Sequence, residues 1–286
     1  MTTQSSTFWN RDGEDVEHFH GNHWHSFVED TAQFMVKALP AAIQQARVIG
    51  RKPDVVNAEN GPHGIYLGHA VGDAELIALI EVAEDGNHLC AAWPEVGNTG
   101  LHRLVLREGF LWSNGLEAQL GADFGPSRIT FFDARYLEHG GKYHADMAAN
   151  FRLAAIAYFV EKPDDKPAYI TKPEMIHAIE PDRDPHDDSP IEIHMTGMAA
   201  FFQHGKNDRD DCEFRGPIKA VHELPSGAFG ARAWVLKVTV LRDSDADDED
   251  INLDIVVSER ALRGQVLPNV GDDIQGAGWV QGWLDA

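Results

Sequence analysis

Basic residues are scarce in this chain. Twenty-four Lys and Arg stand against 46 Asp and Glu, a formal net charge of −22. A surface of that sign repels phosphate backbones and anionic lipid headgroups, so sequence-independent nucleic-acid binding loses its main driving force and no membrane contact is expected. A basic protein partner or a metal cation stays compatible. Cysteine is nearly absent: Cys90 and Cys212 have no CxxC spacing, which excludes a disulfide framework and points to a reducing compartment. No apolar run approaches the ~18 residues that span a bilayer as a helix. The stretch 1–9 has no basic region followed by an apolar one, so no signal peptide is read and a soluble, cytoplasmic protein is expected. GxxxxGK[ST], strand-linked GxGxxG and GxSxG are all missing, which removes most nucleotide-driven and serine-hydrolase chemistry.

What is present reads as strands. The last hundred residues carry four apolar runs, 214–224, 231–241, 251–257 and 274–284, separated by turn signals. A Pro/Gly/Asp turn at 267–273 precedes the final run, in which Gly276, Gly278 and Gly282 interrupt apolar residues. Glycines so placed suit a barrel corner, where the chain coils sharply and backbones approach closely. That pattern points to a small closed barrel of the oligonucleotide/oligosaccharide-binding (OB) type. Further strands are expected at 65–71, 76–82, 88–93, 102–112, 115–120, 128–132 and 151–161. The runs at 76–84 and 151–161 also admit a helix, because periodicity alone does not decide a continuous apolar stretch.

A helix is expected near the start. Ser26 and Glu29 have capping-box spacing, Phe27, Phe34, Met35, Leu39, Ala42 and Ile43 recur at helical intervals, and Gly50 marks the stop. Pro40 inside this pattern should kink or split it. The Pro/Asp-rich stretch 163–190 reads as an acidic, extended linker. The fold class expected is therefore mostly β: tandem small OB-like β-barrels with an N-terminal helix. Its parts are a His-rich segment and helix (1–60), a β-rich, OB-like domain (61–162), the linker (163–190) and a C-terminal OB-like barrel (191–286). A weak internal repeat supports the tandem reading. At one constant offset Arg135 lies over Arg260 and Leu137 over Leu262, each after a strand and before closing strands.

Four clusters bear on chemistry. His18, His20, His23 and His25, with Asp15 and Glu17, offer imidazole and carboxylate ligands to a divalent metal, although no established zinc spacing is matched. The loop from His139 to Asp146, following Asp133 and Arg135, holds His, Lys, Tyr and Asp side chains suited to acid–base work or to an ordinary polar loop. The acidic run from Asp243 to Asp250 resembles half an EF-hand but has Asp248 where glycine is required, and reads better as a solvated hairpin loop. Trp234, Trp279 and Trp283 are candidate stacking residues for a single strand or a sugar. Region 191–286 carries 17 acids and 9 bases, which favours core packing for these tryptophans instead. The function expected is a non-catalytic binding protein with no cofactor, engaging a basic protein partner through an acidic barrel surface. The alternatives are a metal-binding protein or metal-dependent enzyme using the histidines, and an OB-type binder of single-stranded nucleic acid or oligosaccharide.

Overall fold

The structure, a computed structural model, describes residues 8–10, 20–51, 63–164, 166–184, 186–203, 209–243 and 249–286. It is mostly β. Strand β1 (Trp9–Asn10) is followed by a 3-10 turn (Gly21–Ser26) and helix α1 (Thr31–Gln45). Strands β2 (Arg47–Arg51), β3 (His63–Val71), β4 (Ala74–Ala83) and β5 (Gly86–Glu95) form an antiparallel four-stranded sheet in sequence order. Next come β6 (Leu101–Leu111), β7 (Ala118–Phe124), β8 (Ser127–Asp133), the helical turn α2 (Tyr136–His139) and the long β9 (Ala148–Glu161). A small excursion holds β10 (Ala168–Ile170), α3 (Pro173–Ile179) and β11 (Ile191–Ile193). The chain closes with β12 (Ala200–Gln203), β13 (Asp211–Ala228), β14 (Ala231–Asp243), β15 (Glu249–Ser258) and β16 (Asp273–Leu284).

Both ambiguous runs are strands. Strand β4 pairs with β3 and with β5, and Leu76 to Ile80 are all buried, so its unbroken apolar run marks burial on two faces. The helix differs from its expectation at both ends: it stops at Gln45, and Gly50 lies within β2. Asp30, not Ser26, is the N-cap, its Oδ1 accepting the Gln33 N–H at 2.9 Å, while Ser26 is buried in the preceding 3-10 turn. Pro40 does not split α1. Its missing N–H would have served Val36, which sits on the solvent side at 77% exposure, where water can take the orphaned carbonyl. The Pro/Asp-rich stretch is not wholly extended: Pro173 opens α3 at a position that needs no N–H, and Arg183 binds both Glu180 and Asp187.

Ten strands, drawn from both sides of that stretch, form one mixed sheet organised by a central ribbon. Strands β9 and β16 run antiparallel, from Gln275↔Glu161 to Leu284↔Phe151. At one end the meander β6-β7-β8 bridges the ribbon: β6 pairs with the start of β9 (Leu101↔Arg152) and β8 runs parallel to the end of β16 (Phe132↔Gln281). At the other end β13-β14-β15 does the same, β13 pairing with the start of β16 (Cys212↔Gly278) and β15 running parallel to β9 (Ile255↔Ala155). Hydrogen bonding thus closes two rings of five strands that share β9 and β16. The offset that sets Arg135 over Arg260 also sets Ala155 over Val280, and those two are direct partners on the ribbon. It further sets Asp133 over Ser258, and each of these caps the turn after its strand. Asp133 Oδ1 accepts the Arg135 N–H at 3.0 Å, and Ser258 Oγ accepts the Ala261 N–H at 3.2 Å. Leu137 and Leu262 are both buried.

Alternation along the ribbon divides the core. One cluster draws on every strand of both rings, with Leu104, Leu120, Phe131, Phe151, Leu236, Ile255 and Val280 among its members. On the other ribbon face Ala154, Ile156, Trp279 and Trp283 join a second cluster, with Trp24 and Phe27 from the N-terminal segment and Tyr66 and Trp93 from the four-stranded sheet. The glycines of β16 explain how the ribbon closes. A Cβ on Gly278 would sit 2.6 Å from the Ile156 carbonyl oxygen, and one on Gly282 2.6 Å from that of Arg152. Only hydrogen fits there. Gly278→Ala is expected to destabilise the protein by about 1–3 kcal/mol, the usual cost of overpacking, with its urea midpoint lowered accordingly.

Candidate functional site

The Gly21–Ser26 turn lays its side chains on the outer face of the ribbon. His20, just before it, takes a left-handed backbone (φ 48°) that turns its ring inward. The ring is 2% exposed and lies among four aromatic rings: stacked on Trp112 (5.4 Å between centroids), and beside Trp93, Phe132 and Trp279. Burying an imidazole requires partners for both nitrogens. Nε2 lies 2.7 Å from Glu117 Oε1, and Nδ1 lies 3.0 Å from Nδ1 of His23. Glu117, itself 2% exposed, is set by a turn in which Asn114 accepts the N–H groups of Leu116 and Glu117 and donates to Glu117 Oε2 at 2.6 Å.

His23 lies flat on Trp279, with centroids 4.0 Å apart and planes at 10°. Trp279 in turn donates its indole N–H to Asp210 Oδ2 at 2.9 Å. Burial raises the Asp210 carboxyl above the usual carboxylate range, opposed by that indole N–H and then by Gln119. Tyr158, on the far side of His23, donates to Asp211 Oδ1 at 2.6 Å. The result is a polar chain, Asn114–Glu117–His20–His23, buried at Glu117 and His20 and half-buried at its ends, lying against the Trp279–Asp210 pair. Since Nε2–H of His20 faces a carboxylate, the short contact between the two Nδ1 atoms needs one shared proton. Either His20 is imidazolium and donates from both nitrogens, or His23 donates to a neutral His20.

The histidines of the sequence motif are therefore dispersed. His20 and His23 meet, His25 points to the exposed side, and His18 lies outside the described residues. Among the described residues no group of three or more His, Cys, Asp or Glu side chains is placed to hold a metal ion. Trp279, Trp283 and Trp234 are 0%, 5% and 6% exposed, the first two in the cluster on the outer ribbon face and the third in the cluster shared by the rings. The acidic run at 244–248 lies outside the described residues, and Asp250 beside it binds Lys219 and Arg242. Glu117, Asn114, Gln119 and Asp210 had no signal in the sequence. Each is a lone polar residue, and Glu117 stands 97 positions from the histidine it serves.

A second polar centre lies at the Trp283 end of the ribbon. Arg135 forms a bidentate pair with buried Glu95 (2.6 and 3.1 Å) and lies over the Trp283 ring at 4.9 Å. Asp133 is fully buried. Its Oδ2 and the Tyr143 hydroxyl both lack a partner at hydrogen-bond geometry, although the hydroxyl is near enough to favour the ionised carboxylate. Burial outweighs that help and pushes the Asp133 carboxyl up to about 7. Of the loop from His139 to Asp146, His139 and Tyr143 turn into the core, and Asp146 faces out to bind Arg107.

Compared with protein-family models, curated proteins and solved structures, the chain matches none. Function therefore rests on the chain's own residues.

Two consequences are measurable. Glu117→Ala leaves the buried His20 Nε2–H without its acceptor and should cost about 1–3 kcal/mol in urea denaturation followed by tryptophan fluorescence. Asp133 has a raised carboxyl in the folded state, so the fold binds a proton that the unfolded chain releases near pH 4. Its contribution is favourable at low pH and is lost as pH rises from about 4 to about 7, by at most about 1.4 kcal/mol per pH unit. The stability difference between wild type and Asp133→Asn should therefore shift toward the variant across that window, and stay level above about pH 8.

Proposed function

We propose that this chain is a non-catalytic binding protein that engages a basic protein partner across an acidic surface, and that its two five-stranded rings are OB-like barrels joined through a common ribbon. The number of strands in each ring and the meander that closes it support the barrel reading. The observation that carries the function is where the cations go. Arg47, Arg107, Arg128, Arg152, Arg232 and Arg242 each lie against a carboxylate of the chain's own. Local pairing neutralises these bases, and the excess acid is left over for the surface. A field of that sign attracts a cationic partner from a distance and orients it on approach. The buried tryptophans speak against a base-stacking platform, since Trp279, Trp283 and Trp234 are occupied in packing.

The immobilised chain should retain basic proteins from a lysate at about 50 mM salt and release them by about 0.5 M, as screening shortens the reach of charge. Retention that is unchanged by salt, or none at low salt, refutes the reading.

A further inference from the structure

Bulky apolar side chains are exposed along one stretch of the chain. Tyr169 (59%), Met175 (46%), Ile179 (50%), Met198 (38%) and Phe202 (56%) are exposed within a stretch of the chain where Asp and Glu outnumber Lys and Arg nine to four from 162 to 202. Where this stretch rejoins the second ring there is a cleft of about 370 Å³. Its apolar walls include Phe159 from the end of β9, Met195 and Met198 from the loop before β12, and Phe202 from β12 itself. Glu161 and Glu213 also line it, Glu161 accepting from the Gln275 side-chain amide at 2.8 Å. The basic residue in the wall, Arg215, donates from one terminal nitrogen to the Met195 carbonyl at 3.2 Å while its buried Nε has no partner, and Arg263 lies over the Phe159 ring at 4.4 Å.

Resting on the reading of an acidic, partner-binding surface, we propose that this cleft is the docking site, and that its occupant is a cationic protein segment carrying bulky apolar side chains, such as a basic amphipathic helix. The two components answer different features. Apolar anchors enter between Phe159, the two methionines and Phe202, where unbranched thioethers adapt to the shape of the guest. Lysines or arginines on the same segment meet Glu161 and Glu213. The charge also discriminates among occupants. A second copy of this chain would set two acidic surfaces against each other, and an anionic lipid surface would be repelled as well.

The test uses two synthetic 16-residue peptides with the full chain: one of Lys and Leu patterned as an amphipathic helix, and one with every Leu replaced by Ser at the same charge. Binding of the Lys/Leu peptide at about 50 mM salt should shift the Met195 and Met198 methyl resonances in carbon-13 spectra, and should exceed binding of the Lys/Ser peptide at least tenfold. Met198→Ser with Phe202→Ser should lose about tenfold in affinity, whereas Val36→Ser, at an exposed site on α1 that does not line the cleft, should lose nothing. Because the methyl shifts are read on the wild type, the outcome does not depend on the variant's fold. Equal binding of both peptides, or methyl resonances of Met195 and Met198 that do not move, overturns the docking site and leaves the acidic-surface reading standing. Failure of both peptides to bind at low salt overturns both. Self-association abolished by Phe202→Ser assigns the cleft to a second copy and also overturns the proposal.

Discussion

The whole molecule depends on the close approach of β9 and β16. These two strands are the only ones shared by both rings, and each gives its edges to three different partners. An ordinary pair of strands could not do this with full-sized side chains throughout. The ribbon must be packed on both faces while meanders attach at opposite ends, so β16 carries glycine where the carbonyls of Ile156 and Arg152 crowd it, and β9 carries Ala154, Ala155 and Ala157 opposite. Small residues on the ribbon are what let the larger ones elsewhere meet. Phe131 and Phe151 pack in one cluster, and Trp93, Phe132 and Trp279 in the other.

The polar chain follows from the same constraint. A two-faced ribbon has no solvent side, so its outer face needs a cover, which the Gly21–Ser26 turn and the four-stranded sheet provide. A cover made of a short turn cannot satisfy all its own polar groups. Its histidines are therefore paired with one another and with Glu117, and the Ser258 hydroxyl donates to the Ser26 carbonyl on the same segment. These contacts tie residues near the start of the chain to strands of both rings. They serve as a register for docking the segment, because the His20 ring and the Ser26 carbonyl meet these partners in one arrangement only.

The two rings resemble each other in more than strand number. Under one offset Ala155 pairs directly with its own counterpart Val280 on the ribbon, the caps Asp133 and Ser258 coincide, and Arg135 and Arg260 each approach a glutamate from another part of the chain, Glu95 and Glu29. The two halves differ in what is added to them. Trp283 on one side of the ribbon corresponds to Tyr158 on the other, and Gln281 to Ile156. The polar and aromatic sites are thus asymmetric elaborations on a symmetric frame.

Much of the frame was legible locally. Every strand expected from the apolar runs is present, because a half-buried or fully buried strand announces itself in consecutive residues, and the glycines of the last strand marked a place where backbones come close. Charge, and with it the classes of partner it repels, was also written in composition. The start of α1 departs from the expectation because Ser26 and Asp30 both have capping chemistry, and Ser26 is buried in the preceding 3-10 turn while Asp30 caps. The candidate site was not legible. His20 meets Glu117, Trp279 meets Asp210, and Glu95 meets Arg135 only because distant strands are adjacent in the rings, and a pairing between single residues leaves no periodic trace in sequence. Periodicity and charge are properties of neighbouring residues, so the chain itself determined them. Which polar groups are buried, and against what, depends on long-range closure of the ribbon, and only the tertiary structure decided it.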